Sequence, residues 1–450
     1  MVRRFIYFLL FSFSLCVAGL FASMLVFVGK LPFGDYIESY SLQIKYYLLN
    51  FRNDVDDLGL PDIYLASNQR IIPSAFHNLI VTTLEAPDNL TDYSAPGTFG
   101  MPGGYSEQIS PLISLIVDGA GSFSALNLDS NEIVAISSNL NSIVDDQNYS
   151  GLIIPELFGR FGLRDLYYSA SREKLFVSLF VDVSGDGCYG IGVYQAELSS
   201  SVGELPVSIE FEPFFESDVC NRDFNGHASG GRIEELDDRL ILTVGSYDLN
   251  LYGDISIPQS SGNVAGKVVA ISENSDYEVL SMGHRNQQGL EVVSGNIFIT
   301  EHGPMGGDEI NIIIGNGEHY GWPYVAFGFD YDYVQRFRLN NVPPFVLPSY
   351  YFTPSIGISQ LVFYDASLLP RWTNKFIVSS LKDQSLYLMD FNPETRSFIS
   401  SERIHIGSRI RDLNVLSDGR LLLITDDQKV MLVDRSSSDI ADNGSNYIDF

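Results

Sequence analysis

A strand–turn–strand phrase returns along most of this chain, and such repetition restricts the fold more than any other feature. Each copy opens with a small or polar pair and runs through an apolar strand. It then turns on Asp, Gly or Ser and leaves in a stronger apolar strand. Clear copies begin at Arg164-Asp165, Gly231-Arg232, Gln288-Gly289, Ser359-Gln360 and Arg411-Asp412, and a weaker one opens near Ser110. Units of about 50–70 residues with several strands each are the pattern of propeller blades. Six copies predict an all-β chain folded as a six-bladed β-propeller over residues 60–436. A β-sandwich array alternates similarly but does not return one phrase so regularly.

At 450 residues the chain is long enough for one large all-β domain, and its 25 Tyr and 30 Phe suit short strands better than long helices. Its formal net charge is −29 although only 18% of residues are charged. That acidic field repels phosphate backbones, so nucleic acid is excluded as a partner.

The first thirty residues obey another rule. Arg3 and Arg4 precede an almost unbroken apolar run from Phe5 to Val28, closed by Lys30. A run of about twenty such residues spans a bilayer, with the arginines on the cytoplasmic side. Residues 1–30 therefore read as an N-terminal transmembrane helix, a membrane anchor. A signal peptide is the rival reading, but no small-x-small cleavage site precedes Met24 to Val28. Either reading places the propeller on the periplasmic or extracellular side. Residues 31–59 are expected to form a juxtamembrane linker with a short amphipathic helix over 36–52, and 437–450 a polar tail. Cys188 and Cys220 are then the only exported thiols, either one disulfide or two free buried cysteines.

The densest chemistry lies in residues 301–323, where acidic residues sit between a Gly-Pro turn and a Gly-Trp-Pro turn. Carbonyls and carboxylates converging on one turn suit a hard cation such as Ca²⁺. Loops that lead into blades gather at one end of a propeller's channel, so polar residues at blade starts converge. His227, the run Gly283-His284-Arg285-Asn286, Lys382, and the pair Arg409 and Arg411 all stand there. Strand alternation puts Arg409 and Arg411 on one face, where they invite an anion or pair with a local carboxylate such as Asp412. A lone Lys382 reads as solvated and a lone His227 as a loop histidine; their joint occurrence points to a site.

The strings GHRNQQGL, EHGPMGGDEIN, YGWP, SLKD and SRIRDL, in that order, resemble the soluble quinoprotein glucose/sorbosone dehydrogenases, which include PQQ-dependent aldose sugar dehydrogenases. The resemblance is good over about 220–435 and faint over 60–220. It implies a six-bladed propeller that oxidises aldose sugars to lactones with PQQ and Ca²⁺. It implies that the carbonyls of Gly303 and Pro304 hold the Ca²⁺ at the cofactor. Lys382, Arg409 and Arg411 would neutralise the cofactor's carboxylates, and Arg285 with Asn286 would contact its quinone oxygens. His227 would act as the base, and a second Ca²⁺ would use Glu309, Asp330 and the carbonyls of Tyr320, Ala326 and Gly328.

The chain also departs from that family. Arg160 stands where Gln is usual, Ser246 near where a carboxylate orients the His (with Asp248 two residues on), and His302 where some relatives have Gln. These favour an alternative: an impaired propeller acting as a Ca²⁺-dependent carbohydrate- or protein-binding module. The sugar and the electron acceptor are not legible.

Overall fold

Two-residue hairpin turns of type I′ need positive φ at both central residues, and such mirror-image turns match the right-handed twist of the flanking strands. Asp237 and Asp238 supply one, at φ 51° and 58°, and Ser294 with Gly295 another, at 51° and 78°. They join Gly230–Leu236 to Arg239–Val244 and Gln287–Val293 to Asn296–Glu301. These are the Asp- and Ser-containing turns of the repeated phrase.

The computed structural model describes residues 63–64, 68–75, 77–84, 104–118, 121–145, 162–185, 187–198, 208–221, 228–247, 257–329 and 345–436. Their strands form six sheets. From the innermost strand outward, blade 1 holds Tyr105–Ser110, Ile113–Val117, Phe123–Asn127 and Ile133–Ser138. Blade 2 holds Leu163–Ser169, Lys174–Asp182, Tyr189–Glu197 and Glu212–Glu216. Blade 3 holds Gly230–Leu236, Arg239–Val244, Lys267–Ile271 and Tyr277–Met282. Blade 4 holds Gln287–Val293, Asn296–Glu301, Asp308–Ile313 and Tyr350–Phe352. Blade 5 holds Ile358–Tyr364, Lys375–Ser380, Ser385–Asn392 and Ser397–His405. Blade 6 begins with Ile410–Val415, Leu421–Thr425 and Val430–Arg435. The innermost strands touch one another in a closed cycle, so the six-bladed propeller expected from the repeats is the observed fold.

Strands enclosed on both faces read as continuous apolar runs, as in Lys174–Asp182, whose seven interior residues are all buried. Six apolar clusters lie one between each pair of neighbouring blades. Leu115 and Leu179 belong to the cluster between blades 1 and 2, Leu126 and Leu422 to that between blades 6 and 1. Each fully buried Leu contributes about 1.5–3 kcal/mol relative to an exposed one.

The repeats' opening pairs have a structural cause. The innermost strands of blades 2 to 6 shift register between Leu163 and Asp165, Gly230 and Ile233, Gln287 and Gly289, Ile358 and Leu361, and Ile410 and Asp412. Each shift is a β-bulge at the polar pair, and a bulge re-aims the side chains beside it. Blade 1 bulges instead between Gln108 and Ser110, at the far end of its innermost strand. That corrects the weaker copy: its blade opens at Tyr105, and the run after Ser110 is its second strand.

Blade 6 is completed from the other end of the chain. Asn78–Leu84 pairs antiparallel with Val430–Arg435, Val81 opposite Val433. The strands Gln69–Pro73 and Ile63–Tyr64 extend that sheet outward. Cys188 and Cys220 form a disulfide, Sγ–Sγ 2.04 Å. The expected anchor over 1–30, the helix over 36–52 and the tail 437–450 lie outside the described residues. Among the described residues no helix is long and apolar enough to cross a membrane.

Candidate active site

Bulged starts send charged side chains toward the channel axis, where burial requires each to find a partner. Arg232 of blade 3 lies at the centre. Its Nη1 is 2.8 Å from Asp165 Oδ1 of blade 2 and 2.8 Å from Asp412 Oδ1 of blade 6. Its Nε donates to the Gln288 carbonyl at 2.7 Å and its Nη2 to the Arg411 carbonyl at 3.2 Å. The guanidinium also lies 4.7 Å from the centre of the Tyr105 ring of blade 1. One arginine of blade 3 thus touches four other blades.

Two residues beyond those bulges, the same strands bring Tyr167, Glu234 and Glu291 to the channel, with Glu107 from blade 1. Burial, then Asp165 and Glu235, pushes the Glu234 carboxyl up to about 8. Burial and the Glu234 charge hold Glu107 and Glu291 well above the carboxylate range.

At the bulged end stand several of the residues singled out from the sequence. Arg285 is buried, and its Nη1 donates to the carbonyls of His302 at 3.2 Å and Gly303 at 3.3 Å. Its guanidinium lies 5.3 Å from the centre of the Trp322 ring, within cation–π range. Asn286 is held on both sides: its carbonyl accepts the His302 N–H at 2.9 Å, and its Oδ1 accepts from Gln288 Nε2 at 2.9 Å. Gln288 Oε1 in turn accepts from Arg411 Nη1 at 3.2 Å, joining blade 4 to blade 6.

Arg409 and Arg411 do share a face, but their carboxylate is Asp426, not Asp412. Asp426 accepts from Arg409 Nε at 3.0 Å and from Arg411 Nε and Nη2 at 2.9 and 3.2 Å. Asp412 is held at the axis by Arg232, Ser106 and Asn414. Burial opposes the Arg411 charge, yet Asp426 holds its pKa above the usual value. One carboxylate against two guanidiniums leaves net positive charge, and the Arg409 side chain is 40% exposed. Such a pair suits an anionic ligand.

The carbonyl-rich turn closes tightly. The Gly303 N–H donates to Asp308 Oδ1 at 3.2 Å, while Asp308 Oδ2 accepts from Ser355 Oγ at 2.7 Å and the Ile358 N–H at 3.0 Å. The Lys382 N–H donates to the Ile356 carbonyl at 3.0 Å, which fixes the exposed Lys382 to the same turn. A Cβ on Gly303 would stand 2.2 Å from the Gly306 oxygen, and one on Gly328 2.0 Å from that same oxygen. Met305 and Phe329 exchange backbone hydrogen bonds between the two segments. Backbone oxygens without room for side chains are the donor chemistry Ca²⁺ takes. Glu309 bonds Asn311 Nδ2 at 3.2 Å, and burial, then Glu301, pushes its carboxyl well above the usual range. A cation beside Glu309 would offset that. Tyr320 anchors its segment through an N–H bond to the Met282 carbonyl at 2.9 Å. Among the described residues no three His, Cys, Asp or Glu side chains cluster as a metal site.

His227, Asp330, Arg160 and Asp248 lie outside the described residues. Ala228, beside His227, accepts the Tyr247 N–H at 2.8 Å, and the Ser246 N–H donates to the Arg285 carbonyl at 2.8 Å. His302 Nε2 donates to the Ile358 carbonyl at 2.5 Å, since a carbonyl oxygen only accepts. Burial, with Arg285 and Arg411 nearby, holds it below the usual histidine range. Asp426, Gln288 and Asp308 are the structural partners that sequence reasoning missed. Gln288 and Asp308 stood inside the quoted strings without a role; nothing local marked Asp426.

Fold and site together define a six-bladed propeller that gathers arginines and a carbonyl-rich turn at one end of its channel. The chain belongs to the glucose/sorbosone dehydrogenase family, whose model matches residues 210–434. It is 30% identical over 231 residues to the uncharacterized protein slr1608 of Synechocystis, covering 46% of this chain and 56% of that protein. The chain thus spans little more than half of that relative. It is 25% identical over 300 residues to the aldose sugar dehydrogenase YliI of Escherichia coli, covering 61% of this chain and 77% of that enzyme. The PQQ-bound aldose sugar dehydrogenase of Streptomyces coelicolor superposes with a TM-score of 0.54 at 15% identity, covering 81% of this chain and all of that one, a likeness of fold.

Proposed function

We propose that this chain is a PQQ-dependent dehydrogenase that oxidises aldose sugars to lactones. What supports the reading is one continuous polar path. Gly303 meets Arg285, Asn286 meets Gln288, and Gln288 meets Arg411, which shares Asp426 with Arg409. Those residues come from the starts of blades 4 and 6 and from the turns after the second strands of the same two blades, and they match the residue types the family uses.

PQQ, when bound with Ca²⁺, supplies the two-electron acceptor for hydride from the sugar's anomeric carbon. The chain's own residues do the rest. Arg409, Arg411 and Lys382 hold the cofactor's carboxylates, and Arg409 is the most accessible of the arginines. Arg285 and Asn286 orient the quinone oxygens, and Trp322 backs the Arg285 guanidinium. Gly303 and Pro304 offer carbonyls to one Ca²⁺, and Glu309, Tyr320, Ala326, Gly328 and Asp330 to a second. His227 removes the proton of the anomeric hydroxyl, a task suited to an imidazole near neutral pH.

The test is to add PQQ and Ca²⁺ to the purified protein and follow the bound-quinone spectrum and sugar-dependent dye reduction. His227→Ala is expected to abolish turnover and spare cofactor uptake; full activity in that variant would remove His227 from the mechanism. Uptake without turnover on a panel of aldoses would favour the binding-module reading, which Ser246 in place of a carboxylate supports.

Residues 1–30 are proposed to anchor the propeller on the periplasmic or extracellular side, where electrons pass to an acceptor in or near the membrane. Cleavage of the propeller by protease added to spheroplasts, whose inner membrane is intact, tests this; protection until that membrane is lysed would refute it.

A further inference from the structure

The pair His284-Arg285 is gripped by a single buried carboxylate that the reaction does not use. Glu301, at the end of the second strand of blade 4, is 4% exposed. Its Oε2 accepts the Arg285 N–H at 2.8 Å. Its Oε1 lies 3.0 Å from His284 Nδ1 and accepts from Asn311 Nδ2 at 2.7 Å. His284 is wholly buried, with Nε2 2.8 Å from Ser281 Oγ and its ring stacked on Tyr320 at 4.7 Å.

These bonds act on one short segment. Glu301 takes the backbone of Arg285 and the side chain of the residue before it, while His302, next in sequence, takes the Asn286 carbonyl. The Arg285 guanidinium then returns to the carbonyls of His302 and Gly303. The Arg285 backbone therefore cannot shift without breaking a charge-assisted bond inside a dry interior, where an orphaned partner is costly.

We propose that Glu301, with His284 as its partner, is a positioning residue that sets the Arg285 guanidinium on the quinone oxygens. The inference rests on the dehydrogenase reading above. Glu301 bonds Arg285 but none of Lys382, Arg409 and Arg411, so its loss affects the chemical step more than cofactor capture, which belongs to those three. Misplacing a group that supports a reacting centre costs on the order of 10–100-fold in rate.

The experiment compares wild type, Glu301→Gln, Arg285→Ala and the double variant, each loaded with PQQ and Ca²⁺. Glu301→Gln is expected to lower kcat about 10–100-fold, leave KM for the sugar near its wild-type value, and shift the absorption band of the bound quinone. PQQ affinity measured by equilibrium titration should change little. In the Arg285→Ala background the same substitution should add no further loss, as expected of two residues in one interaction. A full additional loss there, or an unshifted quinone band with unchanged kcat, would overturn the proposal. If Glu301→Gln does not fold, His284→Gln is carried through the same cycle with the same criteria. A wild-type protein that takes up no PQQ would instead sink the dehydrogenase reading itself.

Discussion

Arg411 Nη1 and Gln288 Oε1 meet at 3.2 Å and join the last blade to the fourth across the mouth of the channel. Because Gln288 Nε2 also holds Asn286 Oδ1 at 2.9 Å, one amide aligns two groups assigned to opposite ends of the cofactor. Gln288→Leu keeps the bulk and removes both bonds. It is expected to weaken PQQ binding by about tenfold, roughly one lost charge-assisted hydrogen bond. Fluorescence titration with PQQ checks this, and unchanged affinity would dismiss the bridge.

Arg232 holds Asp165 and Asp412 together at the axis. Removing one member of a buried ion cluster strands the remaining charges at about 3–5 kcal/mol. Arg232→Met should therefore lower the denaturant midpoint strongly, while Asp165→Asn, which keeps one partner for the arginine, costs less. Equal losses in urea melts would mean the arginine is not the organising member.

Glu234 is expected to give the propeller a pH dependence. Its carboxyl is raised to about 8 in the folded protein by burial, then by Asp165 and Glu235. A raised carboxyl favours the protonated folded state, so its contribution is intact below the unfolded value and is lost as pH climbs toward 8. Glu234→Gln is expected to raise Tm at pH 8 by about 1–2 °C per kcal/mol recovered, and to change little near pH 4. Thermal melts at both pH values decide it; an equal gain at both would point to packing instead.

Gly303 has no room for a side chain, since a Cβ would stand 2.2 Å from the Gly306 oxygen. Gly303→Ala should spread the turn and its carbonyls. Wild type is expected to gain about 2.7 kcal/mol of stability at a Ca²⁺ concentration a hundredfold above Kd, and the variant to lose most of that gain. Differential scanning calorimetry with Ca²⁺ and with chelator measures it; equal Ca²⁺ shifts in both proteins would take Gly303 out of the ion's surroundings.

The blade count was legible because each bulged start places a polar pair in front of an apolar strand, and that break in the pattern survives in one dimension. Blade 1 was harder to read because its bulge comes between Gln108 and Ser110, late in the strand. The Arg409 and Arg411 face was legible from strand alternation, but its counter-charge was not. Asp412 is adjacent in sequence and turned to the axis, while Asp426 arrives from the turn after the next strand.

Local pattern alone determined the strands, the turns and the order of the motif strings, because apolar alternation and turn chemistry act over a few residues. Three things were decided only by the tertiary structure. Asn78–Leu84 closes the ring against Val430–Arg435, Arg232 touches four other blades at once, and Glu301 grips the backbone of Arg285. Each joins groups brought together by closure of the ring, and short-range periodicity carries no record of which distant partner a buried charge or an unpaired strand edge will meet.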